Sequence, residues 1–288
     1  MQQAFDTAGT NAQDDVIRIN QGNYSVAGGS VAFAYSTATS NAITVEGGFQ
    51  SLLGVACGAR TNDASLTVLS GSGVRQVARF SPGPGTNGDI EIKNLSVHGG
   101  FSASQSGAGL SVGGVGGYTG NISIERIIFE NNISETFGGG LNVGSYGGFV
   151  YVLGNLFLKN RGMGNFCAAL TTVNAPSQAT ASALFGNNTF IDNRCGEGTP
   201  AICSAGGVRI GGSVRMQFFN NVFAPSAITG SNFTISATPV EVNFNNIYRV
   251  VGTPPQSFVG NVSAVDPLFV NVANHFRLSA AAQYRRLC

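Results

Sequence analysis

Lys93-Asn94-Leu95-Ser96-Val97-His98-Gly99 returns as Glu125-Arg126-Ile127-Ile128-Phe129-Glu130-Asn131. It returns again as Gly154-Asn155-Leu156-Phe157-Leu158-Lys159-Asn160 and as Asn187-Asn188-Thr189-Phe190-Ile191-Asp192-Asn193. Shorter copies follow at Asn220-Asn221-Val222-Phe223 and Asn245-Asn246-Ile247-Tyr248. The recurring position, usually Asn, falls at residues 94, 126, 155, 188, 221 and 246, a mean period near 30. A fixed period of this size marks units that bury their apolar faces against one another. Two further patterns keep step with it. One is a turn of small residues before a short apolar strand, as in Gly107-Ala108-Gly109-Leu110-Ser111-Val112, Gly138-Gly139-Gly140-Leu141-Asn142-Val143, Ala168-Ala169-Leu170-Thr171 and Gly206-Gly207-Val208-Arg209-Ile210. The other is an alternating strand ahead of each Asn motif, as in Ile90-Glu91-Ile92, Ile122-Ser123-Ile124, Val214-Arg215-Met216 and Val240-Glu241-Val242.

Each repeat therefore holds three short strands of period two separated by turns. No repeat sustains a 3.6-residue apolar period, which excludes the crossover helices of a doubly wound sheet. Three strands per coil around Leu, Ile, Val and Phe describe an all-β solenoid, a parallel β-helix. Residues at one position then stack on their counterparts about 4.8 Å away. Leu110, Leu141, Leu170 and Val208 are expected to form one interior column. Asn94, Asn155, Asn188, Asn221 and Asn246 are expected to form a ladder, each amide bonding the next coil and satisfying backbone groups at a bend. Ala4, Phe5 and Ala8 lie at helical spacing, with Gly9 placed to close a short helix. Such a helix would cover the open end and block edge-to-edge polymerisation. Val16 to Ile19 reads as the first strand, and Gln21 to Tyr24 as a turn. The chain is thus read as one domain: a cap at 1–15, coils at 16–250 and an irregular C-terminal cover at 251–288.

Composition narrows the function. Lys+Arg 15 against Asp+Glu 14 leaves a net charge of +1, and only 10% of the 288 residues are charged, against about 25% in ordinary domains. A nucleic-acid partner is not expected, because no basic excess is present to neutralise phosphates. No apolar run approaches the ~18 residues of a membrane span. Lysine occurs only at 93 and 159, while Gly (41 residues), Asn, Ser and Thr fill the polar positions. Such an uncharged, hydrogen-bonding surface is common in secreted and cell-surface β proteins. Residues 1–6 have neither the basic start nor the apolar run of a secretion signal, so either the protein is cytosolic or its natural beginning lies upstream, and the second is the expectation. Five cysteines leave at least one unpaired within the chain. Cys195 and Cys203 flank a turn-rich loop. They are either a local disulfide, which implies an oxidising compartment, or two small apolar side chains.

The coil pattern resembles right-handed parallel β-helix proteins of the pectate-lyase-like fold. More narrowly, the chain resembles bacterial secreted β-helix proteins with choice-of-anchor Q domains. The resemblance rests on the helix Phe5 to Ala8, the strand Val16 to Ile19 and the turn Gly22-Asn23-Tyr24. Gly47-Gly48-Phe49 with Cys57 and Arg60 also matches, as does Asp266-Pro267-Leu268-Phe269 before Phe276-Arg277-Leu278. It implies an extracellular or cell-surface protein. Enzymes of this fold use an acidic Ca²⁺ cluster with Arg or Lys as base, and here the acids are too few for an obvious cluster. The expectation is no metal and no cofactor, with Ca²⁺ entering only if the chain is a lyase.

The scarce charges remain the place to look for chemistry. Aligning the Asn motifs sets His98, Glu130, Lys159 and Asp192 in one column, and Asn132, Arg161 and Arg194 in a column beside it. Glu130, Lys159, Asp192, Arg161 and Arg194 are the candidate ligand-binding set, against the alternative of an exposed ion-pair ladder. The expected function is a non-catalytic module for adhesion or glycan binding, its partner a polysaccharide or surface glycan. The alternative is a polysaccharide lyase or glycoside hydrolase acting on an acidic polysaccharide. Ice binding is disfavoured because no Thr-x-Thr column recurs.

Overall fold

In a computed structural model the alternating strands stack as parallel rungs, forming a β-solenoid with one short N-terminal helix. The structure describes residues 1–51, 58–113, 117–162, 170–172 and 182–195. Beyond these it describes the strand segments 208–210, 215–223, 233–235, 240–243, 246–247, 250–252, 262–263, 269–271 and 275–278. Each full coil begins with a leading segment, such as Ile122 to Glu125, whose partners above and below are Ile90 to Lys93 and Val150 to Leu153. A bend follows, then a trailing segment such as Ile128 to Glu130, level with Ser96 to His98 and Leu156 to Leu158. A second bend leads to a two-residue strand, Ile133–Ser134, level with Phe101–Ser102 and Arg161–Gly162. A loop then reaches the far strand Leu141–Val143, level with Leu110–Val112 and Leu170–Thr172. That two-residue strand is a fourth element of the coil, too short to show any alternation in the sequence. Parallel pairing continues at least to Val262–Ser263. Among the described residues, antiparallel pairing occurs only between Phe269–Asn271 and His275–Leu278 and at the Phe49–Arg60 bridge.

The predicted interior column is present. Leu110, Leu141, Leu170 and Val208 are level in register, and Leu110, Leu141 and Val208 are buried; the side chain of Leu170 lies outside the described residues. A second column is aromatic. Phe129, Phe157, Phe190 and Phe223 stack with centroids 4.8, 4.6 and 4.5 Å apart and ring planes within 13°. Isolated aromatic pairs favour offset or edge-to-face geometry. Here the strand spacing of about 4.8 Å sets the separation and aligns the rings.

The asparagine ladder exists, one residue away from the expected alignment. Asn155 lies level with Ile127 and Leu95, not with Arg126 and Asn94. Asn94, Arg126, Gly154, Asn187 and Asn220 instead occupy the left-handed bend, with φ between 52° and 65°. Each ladder Asn follows such a residue and turns inward. The backbone N–H and the Nδ2 of Asn155 both donate to Asn188 Oδ1 at 3.0 Å, and those of Asn188 donate to Asn221 Oδ1 at 3.0 and 2.9 Å. Asn94 is buried but serves another purpose: its Nδ2 donates to the Gly47 and Thr61 carbonyls. Asn246 is level with Val222, one residue past the ladder position. The cause of the slip is that Asn suits both places, as a residue tolerant of positive φ and as an inward amide.

A second ladder stands at the other bend. The backbone N–H and Nδ2 of Asn132 donate to Asn160 Oδ1, and those of Asn160 to Asn193 Oδ1, at 2.9 to 3.2 Å. The Nδ2 groups also donate to the Val97, Phe129 and Phe157 carbonyls.

The helix Gln2–Thr10 covers the first rungs with Phe5 and Ala8 buried beneath it. Phe5 meets Phe80 edge to face at 5.5 Å. The Gln2 amide acts as a stand-in strand: the Ala34 N–H donates to its Oε1 and its Nε2 donates to the Ala34 carbonyl, at 2.8 and 2.7 Å. Those groups belong to the first far strand, Val31–Thr37, whose edge would otherwise be open to another chain. The helix ends at Thr10, one residue past Gly9. Gly9 is needed for close approach, since a Cβ there would run into the Ser36 carbonyl oxygen. Gly9→Ala is therefore expected to destabilise the protein, although Ala gains about 1 kcal/mol of helix propensity. A urea titration showing a lower midpoint for Gly9→Ala checks this. The strand Asp15–Asn20 appears as expected, but Gly22–Tyr24 is a strand pairing with Thr67 to Leu69 rather than a turn.

Candidate functional site

The second bend builds the charged site. Asn131, Lys159 and Asp192 hold the left-handed conformation there, with φ of 54°, 53° and 48°. The next residue in each coil is a ladder Asn, buried at 0 to 5% exposure. The residue after that, Ile133, Arg161 or Arg194, begins the two-residue strand, and these three are level in register. An inward Asn thus separates two side chains that emerge on the outside of the same corner. Stacking brings Asn131, Ile133, Lys159, Arg161, Asp192 and Arg194 around one open recess of about 450 Å³. Arg194 Nε donates to Asp192 Oδ1 at 3.2 Å and Nη2 to Oδ2 at 3.4 Å. Among the described residues, three cationic side chains, Lys159, Arg161 and Arg194, line the recess with one carboxylate, Asp192.

Glu130 does not belong to this group. It lies level with Leu158, itself level with Ile191, one residue before the bend, and its Oε2 stands 3.5 Å from His98 Nδ1. Aligning the repeats on Asn displaced Lys159 and Asp192 by one place relative to Glu130. Asn132 is likewise a buried ladder residue and not a partner of Arg161 and Arg194. The Cys195–Cys203 pairing cannot be placed against the fold, because Cys203 lies outside the described residues.

A second recess, about 650 Å³, lies on the outer face of the leading segments. Its lining includes Thr44, Glu91, Ser123 and Tyr151, which form one column in register, and Asp89, Asn121 and Phe149 along one margin. Sequence reasoning did not single these out. The available signal was Phe149-Val150-Tyr151-Val152, in which the valines face inward and both aromatics take the outer positions.

Burial pushes the Tyr118 phenol well above its usual pKa, and the nearby Asp89 charge adds to the effect. Its hydroxyl donates to the Gly88 carbonyl at 2.9 Å, and the Asn121 carbonyl lies 3.2 Å away. Tyr118 is a wedge between coils. Among the described residues, no three His, Cys, Asp or Glu side chains are grouped to hold a metal ion, and no helix is long and apolar enough to cross a membrane. No protein-family model, curated protein or solved structure matches the chain.

Proposed function

We propose that this solenoid is a secreted or cell-surface module that binds an acidic polysaccharide through the corner recess, without catalysis. One observation carries the reading: among the described residues, Lys159, Arg161 and Arg194 open on a single recess beside one carboxylate, Asp192. Arg guanidinium groups suit bidentate pairing with a uronate carboxylate, and Lys supplies a point charge beside them. Arg161 and Arg194 are level on successive rungs about 4.8 Å apart, so these two guanidinium groups follow the solenoid axis, with Lys159 beside Arg161 on the same coil. The low-charge surface supports an extracellular setting. The helix, Gly22-x-Tyr24 and the Asp266-Pro267 segment support kinship with secreted β-helix proteins of the pectate-lyase-like type.

The Lys159→Ala, Arg194→Ala double variant tests this. It is expected to weaken binding to a polygalacturonate oligomer at least tenfold, because it removes two charge-assisted contacts. Its melting temperature should stay close to the parent's, since the exposed Asp192–Arg194 pair is worth about 0–1 kcal/mol. Calorimetry at 50 and 200 mM salt should show parent affinity falling as salt rises. A parent that binds no acidic glycan would refute the proposal. The same recess could instead place Lys159 or an Arg as the base of a lyase. Turnover by the parent that the variant loses by at least ~10²-fold would favour that reading.

A further inference from the structure

The recess on the leading face is a separate site, and its argument does not rest on the corner recess. We infer that it binds an amino sugar, a pyranose ring bearing a free cationic amine, as part of a saccharide. Three features lead there. Phe149, about half exposed, lies nearly parallel to Tyr151, with ring planes 20° apart and centroids at 6.2 Å. Together they make a stacked aromatic pair, the platform of this recess, on the outside of one strand. Ring faces of this kind attract a cation and accept the C–H face of a sugar.

The next rungs supply polar partners. Ser123 and Asn121 lie beside the platform, and Glu91, Asp89 and Thr44 lie further along, so the recess crosses several strands along the solenoid axis.

The charge in the recess is of one sign. Among the described residues, its lining contains Asp89, Glu91 and Glu125 and no Lys or Arg. Lys93 covers Glu91 at 2.8 Å, and Arg126 reaches Glu125 only at 3.8 Å. Asp89 accepts the Asn121 N–H at 2.9 Å and forms no ion pair among the described residues. The Ser123 hydroxyl donates to Glu125 at 2.7 Å, which holds that carboxylate at the recess. Carboxylates only accept hydrogen bonds, so they match the ammonium and hydroxyl donors of an amino sugar and repel a uronate. Among the described residues, the carboxylates of this recess contrast with the Lys and Arg side chains of the corner recess.

The test uses the whole protein and a glucosamine tetramer with free amines, beside its N-acetylated form and a galacturonate tetramer. The glucosamine tetramer is expected to bind best. Phe149→Ala should weaken it about fivefold, which is about 1 kcal/mol at 1.4 kcal/mol per decade. Asp89→Asn should weaken it by a similar factor and flatten its salt dependence. Because Phe149 is exposed, its variant should melt like the parent, and both changes should leave galacturonate binding at the corner recess as it was. Equal binding of the N-acetylated tetramer, no binding of the glucosamine tetramer, or affinity indifferent to both substitutions would overturn the inference.

Discussion

Asn188→Ala is expected to lower the stability of the central coils by about 4 kcal/mol, from four buried hydrogen bonds each with a net worth of about 1 kcal/mol. Asn188 Oδ1 accepts from the backbone N–H and the Nδ2 of Asn155, both at 3.0 Å. Its Nδ2 donates to the Val152 carbonyl at 2.8 Å and to Asn221 Oδ1 at 2.9 Å. Truncation strands partners on both neighbouring coils where water does not reach them, and that desolvation cost makes the loss large for a single side chain. The preceding residue supplies the contrast. Asn187 is exposed with φ of 56°, and Asn187→Ala sacrifices only tolerance of that backbone region, about 1 kcal/mol. Hydrogen exchange should show the Asn155 amide opening far more readily in Asn188→Ala and scarcely changed in Asn187→Ala. Equal effects would contradict the inward placement of Asn188, and reversed effects would mean that the inward and outward positions have been exchanged.

Phe157→Ala is expected to cost about as much by a different route. Phe157 is fully buried between Phe129 and Phe190, with centroids at 4.8 and 4.6 Å. Removing the ring forfeits its transfer free energy and leaves a cavity that the stack cannot collapse to fill, a loss of about 3–5 kcal/mol. The rungs above and below are pinned by backbone pairing on both sides, so relaxation is limited. Phe157→Leu refills much of the space and should recover most of the loss. Urea midpoints for the parent and both variants measure this, and a Phe157→Ala midpoint equal to the parent's would contradict the aromatic column.

These two positions also show how far the sequence could be read. The 30-residue period, the period-two strands and the absence of helical periodicity pointed to a parallel solenoid, since each is a repeating local signal. Register was harder. Placing Asn155 beside Asn94 looked natural, yet Asn94 sits in the bend and Asn155 is the inward residue that follows it. Aligning Phe129, Phe157, Phe190 and Phe223 would have given the correct register, because a large ring fits only the interior column. The same slip put Glu130 with Lys159 and Asp192 and hid the second ladder, Asn132, Asn160 and Asn193. Lys159, Arg161, Asp192 and Arg194 were still found together, because the 33-residue spacing from Asn155 to Asn188 is the true register and the slip lies only between the coils of Arg126 and Asn155. The platform of Phe149 and Tyr151 went unseen. Its polar partners lie on coils 28 and more residues earlier, and only exact register brings Ser123 and Glu91 beside it.

Register along the whole stack is therefore the central claim, and spin-label distances test it most directly. Thr44, Glu91, Ser123, Tyr151, Leu184, Gln217 and Glu241 form one column in register. Labels carried on unnatural residues at Thr44 paired with Leu184, Gln217 or Glu241 should report separations of about 19, 24 and 29 Å plus a constant label offset. Each added rung contributes about 4.8 Å whatever the length of chain between rungs. A steady rise by that step is the predicted result. Distances that fail to lengthen, or that shorten from Gln217 to Glu241, would mean that the coils do not stack in parallel register, and both recesses would fall with the fold that assembles them.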